Sequence, residues 1–431
     1  MRENVLIIGK GGREHALAWK LSLSPHVGKI YAAPGNGGTA VGLENVSINE
    51  ENFDDISSFV RERKVRLTIV GPEAPLVKGI VGYFNAKGLV DEGHLIFGPT
   101  AESAMIEGSK AFAKDFMKTH NIPTADAMIF SNPEDAKRYL ISTDFDKIVV
   151  KADGLAAGKG SIVCKTLDEA IKAVDKISAE DTFKDARKYI LIEDFLEGEE
   201  ASILVLTDGI SILPLVSSQD HKAIFDGDKG ENTGGMGAYA PAPVVDSKVM
   251  KKVYEKILNP TVMHLREQSR PFVGCLYAGL MIKDGEPSVV EFNARFGDPE
   301  TQAILPLIQN DLYELLMSCA DKTLNRHVLG ALPGSACSVV MASLGYPGNY
   351  QKGKLISGLN NLGGLDSALV FHAGTKKAGN EYFTDGGRVL GVTGIGADIS
   401  EAINNAYSGV DKISWDNEYH RTDIGHKAIG R

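Results

Sequence analysis

The chain has 431 residues, with 46 Lys and Arg against 56 Asp and Glu and a formal net charge of −10; at roughly 150 residues per domain it has room for two or three domains. An acidic balance without blocks of like charge argues against duplex DNA or an anionic membrane surface as the main partner, and 43% hydrophobic with 24% charged residues excludes wholesale disorder and a collagen-like repeat. Glycine is the outlier: its 47 residues make about 11% against a usual ~7%, which points to many tight turns and close backbone approaches to ligands.

Residues 1–103 alternate short apolar runs (Val5 to Ile8, Lys29 to Ala33, Leu67 to Val70, Leu95 to Phe97) with helix-length segments. This is the rhythm of an open parallel sheet, and it predicts an N-terminal parallel α/β domain. Val5 to Ile8 is too short for a signal segment, and no apolar run approaches the ~20 residues that span a bilayer. Gly9-Lys10-Gly11-Gly12-Arg13-Glu14 follows the first strand and invites the dinucleotide fingerprint, but Glu14 stands at its third glycine. No acidic residue ends the second strand, so a nicotinamide cofactor is disfavoured. Backbone N–H groups at this helix start can hold a phosphate, and a plain strand-to-helix turn fits equally well.

A second unit is expected over 104–327. A helical pattern from Glu107 to His120 carries Phe112, Phe116 and Met117 on one face, with Ser109 available as N-cap. Between Lys147 and Val163 two strand-like runs flank the loop Lys151 to Ser161, which lacks the spacing of a P-loop and is followed by a strand. An ordinary hairpin is one reading; lysines inside a glycine loop favour a hairpin that folds over phosphates. Glu193 to Glu200 places carboxylates directly after a buried-looking strand, as a solvated acidic turn or as a frame for a nucleoside. Ser217 to Pro243 is polar and glycine-rich without periodicity, and is expected to be a functional loop. In Glu291-Phe292-Asn293-Ala294-Arg295, alternation puts Glu291, Asn293 and Arg295 on one face. Two oxygen ligands beside a guanidinium suit a Mg2+-bound polyphosphate; a surface salt-bridge ladder leaves the amide unexplained. The third unit, 328–431, reads as β-rich. Cys164, Cys275, Cys319 and Cys337 are far apart and encode neither a zinc site nor a disulfide framework, so a reducing cytoplasmic setting is expected.

The loop, the acidic elbow and the Glu291 strand come in the order of the ATP-grasp carboxylate-amine ligases. GGREHALAWK (11–20), APGN (33–36), TIVGPEAPLVKG (68–79), GSKAFAKDF (108–116), VKADGLAAGKG (150–160), SQDHK (218–222), NTGGMGAYAPAPVV (232–245), EFNARFGDPETQ (291–302) and FHAGT (371–375) resemble the glycinamide ribonucleotide synthetase family of purine biosynthesis. That resemblance implies an ATP-grasp core between an N-terminal parallel-sheet domain and a C-terminal β-rich domain, and ligation of glycine to 5-phosphoribosylamine with ATP and Mg2+ or Mn2+. It assigns Lys110, Lys151, Gly158, Lys159 and Gly160 to the ATP phosphates, Glu193, Asp194, Phe195 and Leu196 to the adenine, Glu200 to the ribose, and Glu291 and Asn293 to the metal. Where many superfamily members carry a second metal-binding Glu, this chain has Ala278-Gly279-Leu280. On the acceptor side Asp220 is expected to bind the glycine ammonium, with glycine lying by Arg295 and Gly297 among the substrate-binding residues. The turns Gly9 to Gly12 and Pro34 to Gly38 and the segment Gly71-Pro72-Glu73 are expected at the carboxyl ends of parallel strands, where open α/β sheets bind ligands. They place phosphoribosylamine by Gly11, Gly35, Asn36 and Glu73, its phosphate on the N–H groups near Gly11 and its ribose hydroxyls near Glu73. Arg295 and Lys151 are the expected catalytic groups. The turns Gly154 to Gly160 and Gly234 to Gly237 are expected as closing lids, His15 and His221 as structural histidines, and the protein as a monomer or weak homodimer with no nucleic-acid or membrane partner. The alternatives are another ATP-grasp ligase or carboxylase with a different acceptor, or a nucleotide-binding module without turnover.

Overall fold

The computed structural model describes residues 2–155, 160–179, 189–359 and 367–430. Its first sheet is wholly parallel, in the order Glu44–Asn45, Val27–Pro34, Glu3–Gly9, Val65–Val70, Leu95–Phe97. The apolar runs of Glu3–Gly9 and Val65–Val70 are buried almost without alternation, as expected of strands covered on both faces. The strand order reverses beside Glu3–Gly9, so the turns at Gly9 to Gly12 and Gly71 splay apart at the carboxyl ends of the strands. Such a switch point is where open α/β sheets leave a crevice.

Helix Lys110–Thr119 follows, with the Ser109 side chain accepting the Phe112 N–H. Ala113, Phe116 and Met117 on its inner face are buried. Two antiparallel sheets come next. One runs Ala127–Phe130, Ile190–Asp194, Ile148–Ala152, Ser161–Cys164 and packs Val150, Ile190 and Ile192 against Leu140, Val174 and Ile177 of two helices. The other runs Ile212–Pro214, Glu199–Asp208, Val273–Lys283, Glu286–Asn293. The acidic elbow is the hinge between them. At Gly198 the chain turns with φ +141°, and a Cβ there would strike the Ile282 carbonyl, so only glycine makes this corner.

The stretch 217–243, expected as a loop, contains four short strands: Gln219–Asp220, Ala223–Phe225, Lys229–Asn232 and Gly237–Ala240. Gly237–Ala240 pairs with Ser335–Ser343, and the sheet continues through Arg388–Gly396 to Ala368–His372. These strands are two to four residues long, too short for alternation to show; Gln219–Asp220 pairs with Gly237–Ala240 and Ala223–Phe225 with Lys229–Asn232, and only Gly237–Ala240 finds a further partner about a hundred residues away. The C-terminal segment is β-rich but also holds the helix Ile399–Val410, whose N-cap Asp398 accepts the Glu401 N–H and which packs on Arg388–Gly396. The core does not respect the division into segments: Leu6, Ile8 and Phe84 share a cluster with Ile203, Val289 and Phe292. The faces that border the crevice are thereby packed on one another. No helix among the described residues is long and apolar enough to cross a membrane.

Candidate active site

A cavity of about 650 Å³ opens where the N-terminal strand ends, the two central sheets and the C-terminal sheet meet. Its first end is built on the start of helix Lys110–Thr119. Asp153, at the end of strand Ile148–Ala152, accepts hydrogen bonds from Ser109 Oγ (3.0 Å) and the Ala111 N–H (3.1 Å), which ties strand end to helix start. Lys110 Nζ then donates to the Gly154 carbonyl at 2.8 Å. Lys151 Nζ lies 2.9 Å from Glu193 Oε2 and donates to the Val290 carbonyl at 3.2 Å; Lys114 Nζ lies 3.1 Å from the same Glu193 oxygen. Glu193 Oε1 is buried without a hydrogen-bond partner. Burial holds the Lys110 and Lys114 ammonium groups below the usual lysine range, against the pull of Glu291 and Glu193 respectively. Gly160, Asp194, Phe195 and Leu196 line this end, with Lys147 Nζ 5.0 Å over the Phe195 ring. Gly158 and Lys159 lie outside the described residues.

Glu291 and Asn293 both face the cavity, with Phe292 between them in the core. Burial raises the Glu291 carboxyl, and Lys222, Lys151, Lys110 and Arg295 together override it and keep the group below its ordinary range. An ionised carboxylate beside an amide oxygen fits a hard divalent cation. Among the described residues no cluster of three or more His, Cys, Asp and Glu side chains is placed to hold a metal, so a cation here would complete its shell with water and phosphate oxygens, the habit of Mg2+.

The other end is dominated by carboxylates. Glu14, 2% exposed, takes the position that a phosphate was expected to fill: Gly11 N–H donates to Glu14 Oε2 at 2.5 Å, and Arg13 Nε pairs with Oε1 at 2.5 Å. A Cβ at Gly9, Gly11 or Gly71 would collide with this carboxylate, so the glycines make room for Glu14 and the Gly11 N–H is not free for an anion. Gly35 and Asn36 do not line the cavity. Asn36 is a clip: Nδ2 donates to the carbonyls of Lys10 (2.9 Å) and His372 (2.7 Å), and Oδ1 accepts from the N–H groups of Gly38 and Thr39. Gly35, at φ +73°, makes the turn beside it. Gly297 also lies behind the wall, where a Cβ would collide with Glu300.

Arg295 lines the cavity among these carboxylates. One Nη lies 3.0 Å from Glu107 Oε1 and Nε lies 3.4 Å from Glu73 Oε2, with Nε buried and without a hydrogen-bond partner. Glu107 Oε2 accepts the Ala294 N–H at 2.6 Å. Burial pushes the Glu107 carboxyl up to about 7, with Arg295 opposing and Glu73 adding to the rise. Glu73 stays below the usual range, because Arg295 and Arg13 outweigh its burial. Beside them, Lys222 Nζ bridges Asp220 Oδ1 (3.0 Å) and Glu200 Oε2 (3.1 Å). Asp220 is pushed up to about 6 by burial, Lys222 opposing and Glu300 adding. Tyr277 OH donates to Glu300 Oε1 at 3.0 Å.

The structure thus gathers Gly11, Glu73, Lys110, Lys151, Gly160, Glu193 to Leu196, Glu200, Asp220, Glu291, Asn293 and Arg295 around one space. Glu14, Glu107, Lys114, Lys222, Tyr277, Glu300 and Arg388 join them without having been anticipated. Lys222 had a signal in its spacing from Asp220; Arg388 had none, since it arrives on a distant strand. Arg388 Nη1 donates to the carbonyls of Gly234 (2.6 Å) and Asp298 (2.8 Å), and Gly234 N–H donates to Tyr346 OH at 3.1 Å. The Gly234 end of the Gly234 to Gly237 turn is therefore hydrogen-bonded to Arg388 and Tyr346. His15 and His221 lie outside the cavity wall. His15 Nδ1 accepts the His372 N–H at 2.8 Å, and burial pulls it down to about 4, a neutral structural histidine.

Family models of phosphoribosylglycinamide synthetase match the chain in three stretches: the N domain over 3–107, the ATP-grasp (A) domain over 108–301 and the C domain over 336–427. The chain is 49% identical to the phosphoribosylamine-glycine ligase of Vibrio vulnificus strain YJ016 and 50% identical to that of Escherichia coli strain K12, with 99% of each chain covered in both cases. Among solved structures it is similar to the phosphoribosylamine-glycine ligase of Thermotoga maritima (31% identity, TM-score 0.83, covering 98% of this chain and 100% of that one). The biotin carboxylase domain of the Hydrogenobacter thermophilus 2-oxoglutarate carboxylase, in complex with magnesium ADP and bicarbonate, shares the fold at 16% identity (TM-score 0.71, covering 97% and 92%).

Proposed function

The chain belongs to the phosphoribosylglycinamide synthetase family, and on that premise we propose that it joins glycine to 5-phosphoribosylamine, using ATP, to give glycinamide ribonucleotide, ADP and phosphate. The observation that carries this reading is one cavity with lysines at one end and, at the other, carboxylates gathered around Arg295. A carboxylate attacking the γ-phosphate of ATP brings two anions together, and Lys110 and Lys151 are the charges that offset their repulsion in a site shielded from water. Glu193 to Leu196 receive the adenine, with Glu193 Oε1 as an open acceptor for an amino group, and Glu200 the ribose. Glu291 and Asn293 would hold Mg2+ or Mn2+, which supplies charge neutralisation on the polyphosphate. The ammonium of glycine rests on Asp220, and its carboxylate turns towards Arg295. The glycyl phosphate that results is attacked by the amine, and Arg295 steadies the developing oxyanion. Glu73 takes ribose hydroxyls of the acceptor; Lys10 and Arg388, cations on the cavity wall, face its phosphate in place of the Gly11 N–H.

The three proposed units are residues 1–103, 104–327 and 328–431, the last two joined by the pairing of Gly237–Ala240 with Ser335–Ser343. All three contribute to the cavity, which supports a monomer or weak homodimer as the working form; sedimentation at micromolar concentration checks this. Four buried free cysteines support a reducing cytoplasm. The direct test is phosphate release from ATP with glycine, with and without phosphoribosylamine. Release that needs both is expected; turnover with another amine or with bicarbonate in place of these substrates would transfer the chain to a different ligase or carboxylase.

A further inference from the structure

Asp220 and Lys222 line the cavity, and His221 between them does not. His221 is fully buried on the far side, its backbone paired with Gly237 O (2.9 Å) and Met236 N (2.7 Å). What lies behind it is the end of the chain: the Gly425 N–H donates to His221 Nε2 at 3.1 Å. Arg421 heads the largest fully buried side chains of the described residues. Its Nη1 donates to the Ala223 carbonyl at 3.0 Å, directly after Lys222 and 198 positions away, and to Asp228 Oδ1 at 3.1 Å. Its Nε and Nη2 grip Asp423 at 2.7 and 2.8 Å. Asp423 in turn accepts the Gly227 N–H at 2.8 Å, the Thr422 N–H donates to Asp226 at 2.9 Å, and Lys427 Nζ lies 2.6 Å from the other oxygen of Asp228.

Residues 421–427 thus hold the first strand and the turn of the hairpin Ala223 to Asn232 at Ala223, Asp226, Gly227 and Asp228. The consequence concerns register. A strand shifted by one residue turns each side chain to the opposite face, so a slip here would bring His221 into the cavity and take Asp220 and Lys222 out. The short polar strand Gln219–Asp220 has little apolar surface of its own to fix that register. We propose that Arg421 is a positioning residue for the amino-acid subsite, setting Asp220 and Lys222 through the Ala223 carbonyl and Asp228. A guanidinium suits the task, since its fixed fork serves two carboxylates and a carbonyl at once; an ammonium can keep the charge but not all the directions.

This rests on the reading of Asp220 as the partner of the glycine ammonium, so the test separates the two. Steady-state kinetics on full-length Asp220→Asn, Arg421→Lys, Arg421→Met and Lys427→Gln are compared, with folding checked by circular dichroism. Arg421→Met is expected to raise the KM for glycine about tenfold, the effect of a displacement of less than about 1 Å in a subsite, with the KM for ATP unchanged. Arg421→Lys should fall between it and the parent, and Lys427→Gln, at the outer rim of the cluster, should shift the same parameter less. If Asp220→Asn leaves the KM for glycine unchanged, the glycine reading fails and the inference with it. If Asp220→Asn raises it but folded Arg421→Lys and Lys427→Gln do not, the inference alone is overturned. A rise in all substrates' KM together, or a loss confined to kcat, also overturns it, because a merely structural role would produce that pattern.

Discussion

The two ends of the cavity are built on inverse charge patterns. At the nucleotide end a carboxylate, Glu193, sits between the ammonium groups of Lys114 and Lys151; at the acceptor end a guanidinium, Arg295, sits between the carboxylates of Glu107 and Glu73. Each centre also has one buried polar atom without a hydrogen-bond partner, Glu193 Oε1 and Arg295 Nε. A buried group of this kind is costly unless something satisfies it, and the two atoms differ in what they ask for: a hydrogen-bond donor at the first, an acceptor oxygen at the second. The pairing rule is the same at both ends, and the surplus charge decides the ligand. On the proposed reading, lysines in surplus suit polyphosphate, while carboxylates in surplus suit an amine and sugar hydroxyls.

Removing the central group at the acceptor end should have the largest effect. Arg295→Met leaves Glu107 and Glu73 desolvated without their shared cation, and breaking such a buried pair costs about 3 kcal/mol. Loss of the oxyanion partner should lower kcat by about 10²- to 10³-fold. Urea unfolding at pH 7 and single-turnover kinetics measure the two effects. A variant that keeps both parental stability and kcat would show that Arg295 is not the centre of this end.

The matching change at the other end should be milder for the fold and different in kind. In Lys151→Met, Glu193 keeps Lys114 at 3.1 Å, so stability should drop by only about 1 kcal/mol. The KM for ATP should rise on the order of tenfold or more, since a charge meant for the phosphates is gone. The KM for phosphoribosylamine should not move. Equal losses for both substrates would mean that the two ends do not act separately.

That Lys151, Glu193, Glu291 and Asn293 line one space was legible because they sit on strands where alternation sorts them: Lys151 near a strand end, Glu193 near another, Glu291 and Asn293 two residues apart. The acceptor end was read less well, for a physical reason that Glu14 illustrates. In the sequence it registers as the residue that spoils a glycine fingerprint. In space it is the carboxylate that the glycines at 9, 11 and 71 surround, and glycine spacing alone cannot tell whether the room it makes is for a ligand or for the chain's own side chain. Asn36 failed in the same way, as a polar residue in a glycine turn whose side-chain amide is spent on the carbonyls of Lys10 and His372 and the N–H groups of Gly38 and Thr39. Arg388 was invisible because its partners come from remote positions, and the strands within 217–243 because each is only two to four residues long. The helix Ile399–Val410 had a local signal, an Asp398 N-cap with Glu401 three residues on, and lay in a stretch read only for its strands.

The smallest effect, and the finest test of the contrast, is the proton on Glu107. Its carboxyl is pushed up to about 7 by burial, partly opposed by Arg295, whereas in the unfolded chain a glutamate titrates near ~4.3. Between these values the folded protein holds a proton that the unfolded chain has released. The contribution to stability is therefore complete below the unfolded value and is lost as pH rises through about 7. Glu107→Gln removes this titration, so its stability should fall less steeply than the parent's between about pH 4.5 and 7, a difference on the order of 1–3 kcal/mol across the window. Urea midpoints at half-unit pH intervals give both slopes. Parallel slopes would mean that Glu107 is ionised throughout, so that Arg295 faces two full negative charges at neutral pH; the slope difference expected here means that it faces Glu73 and about half of a second charge, leaving the guanidinium less committed to its neighbours and more available to an oxyanion.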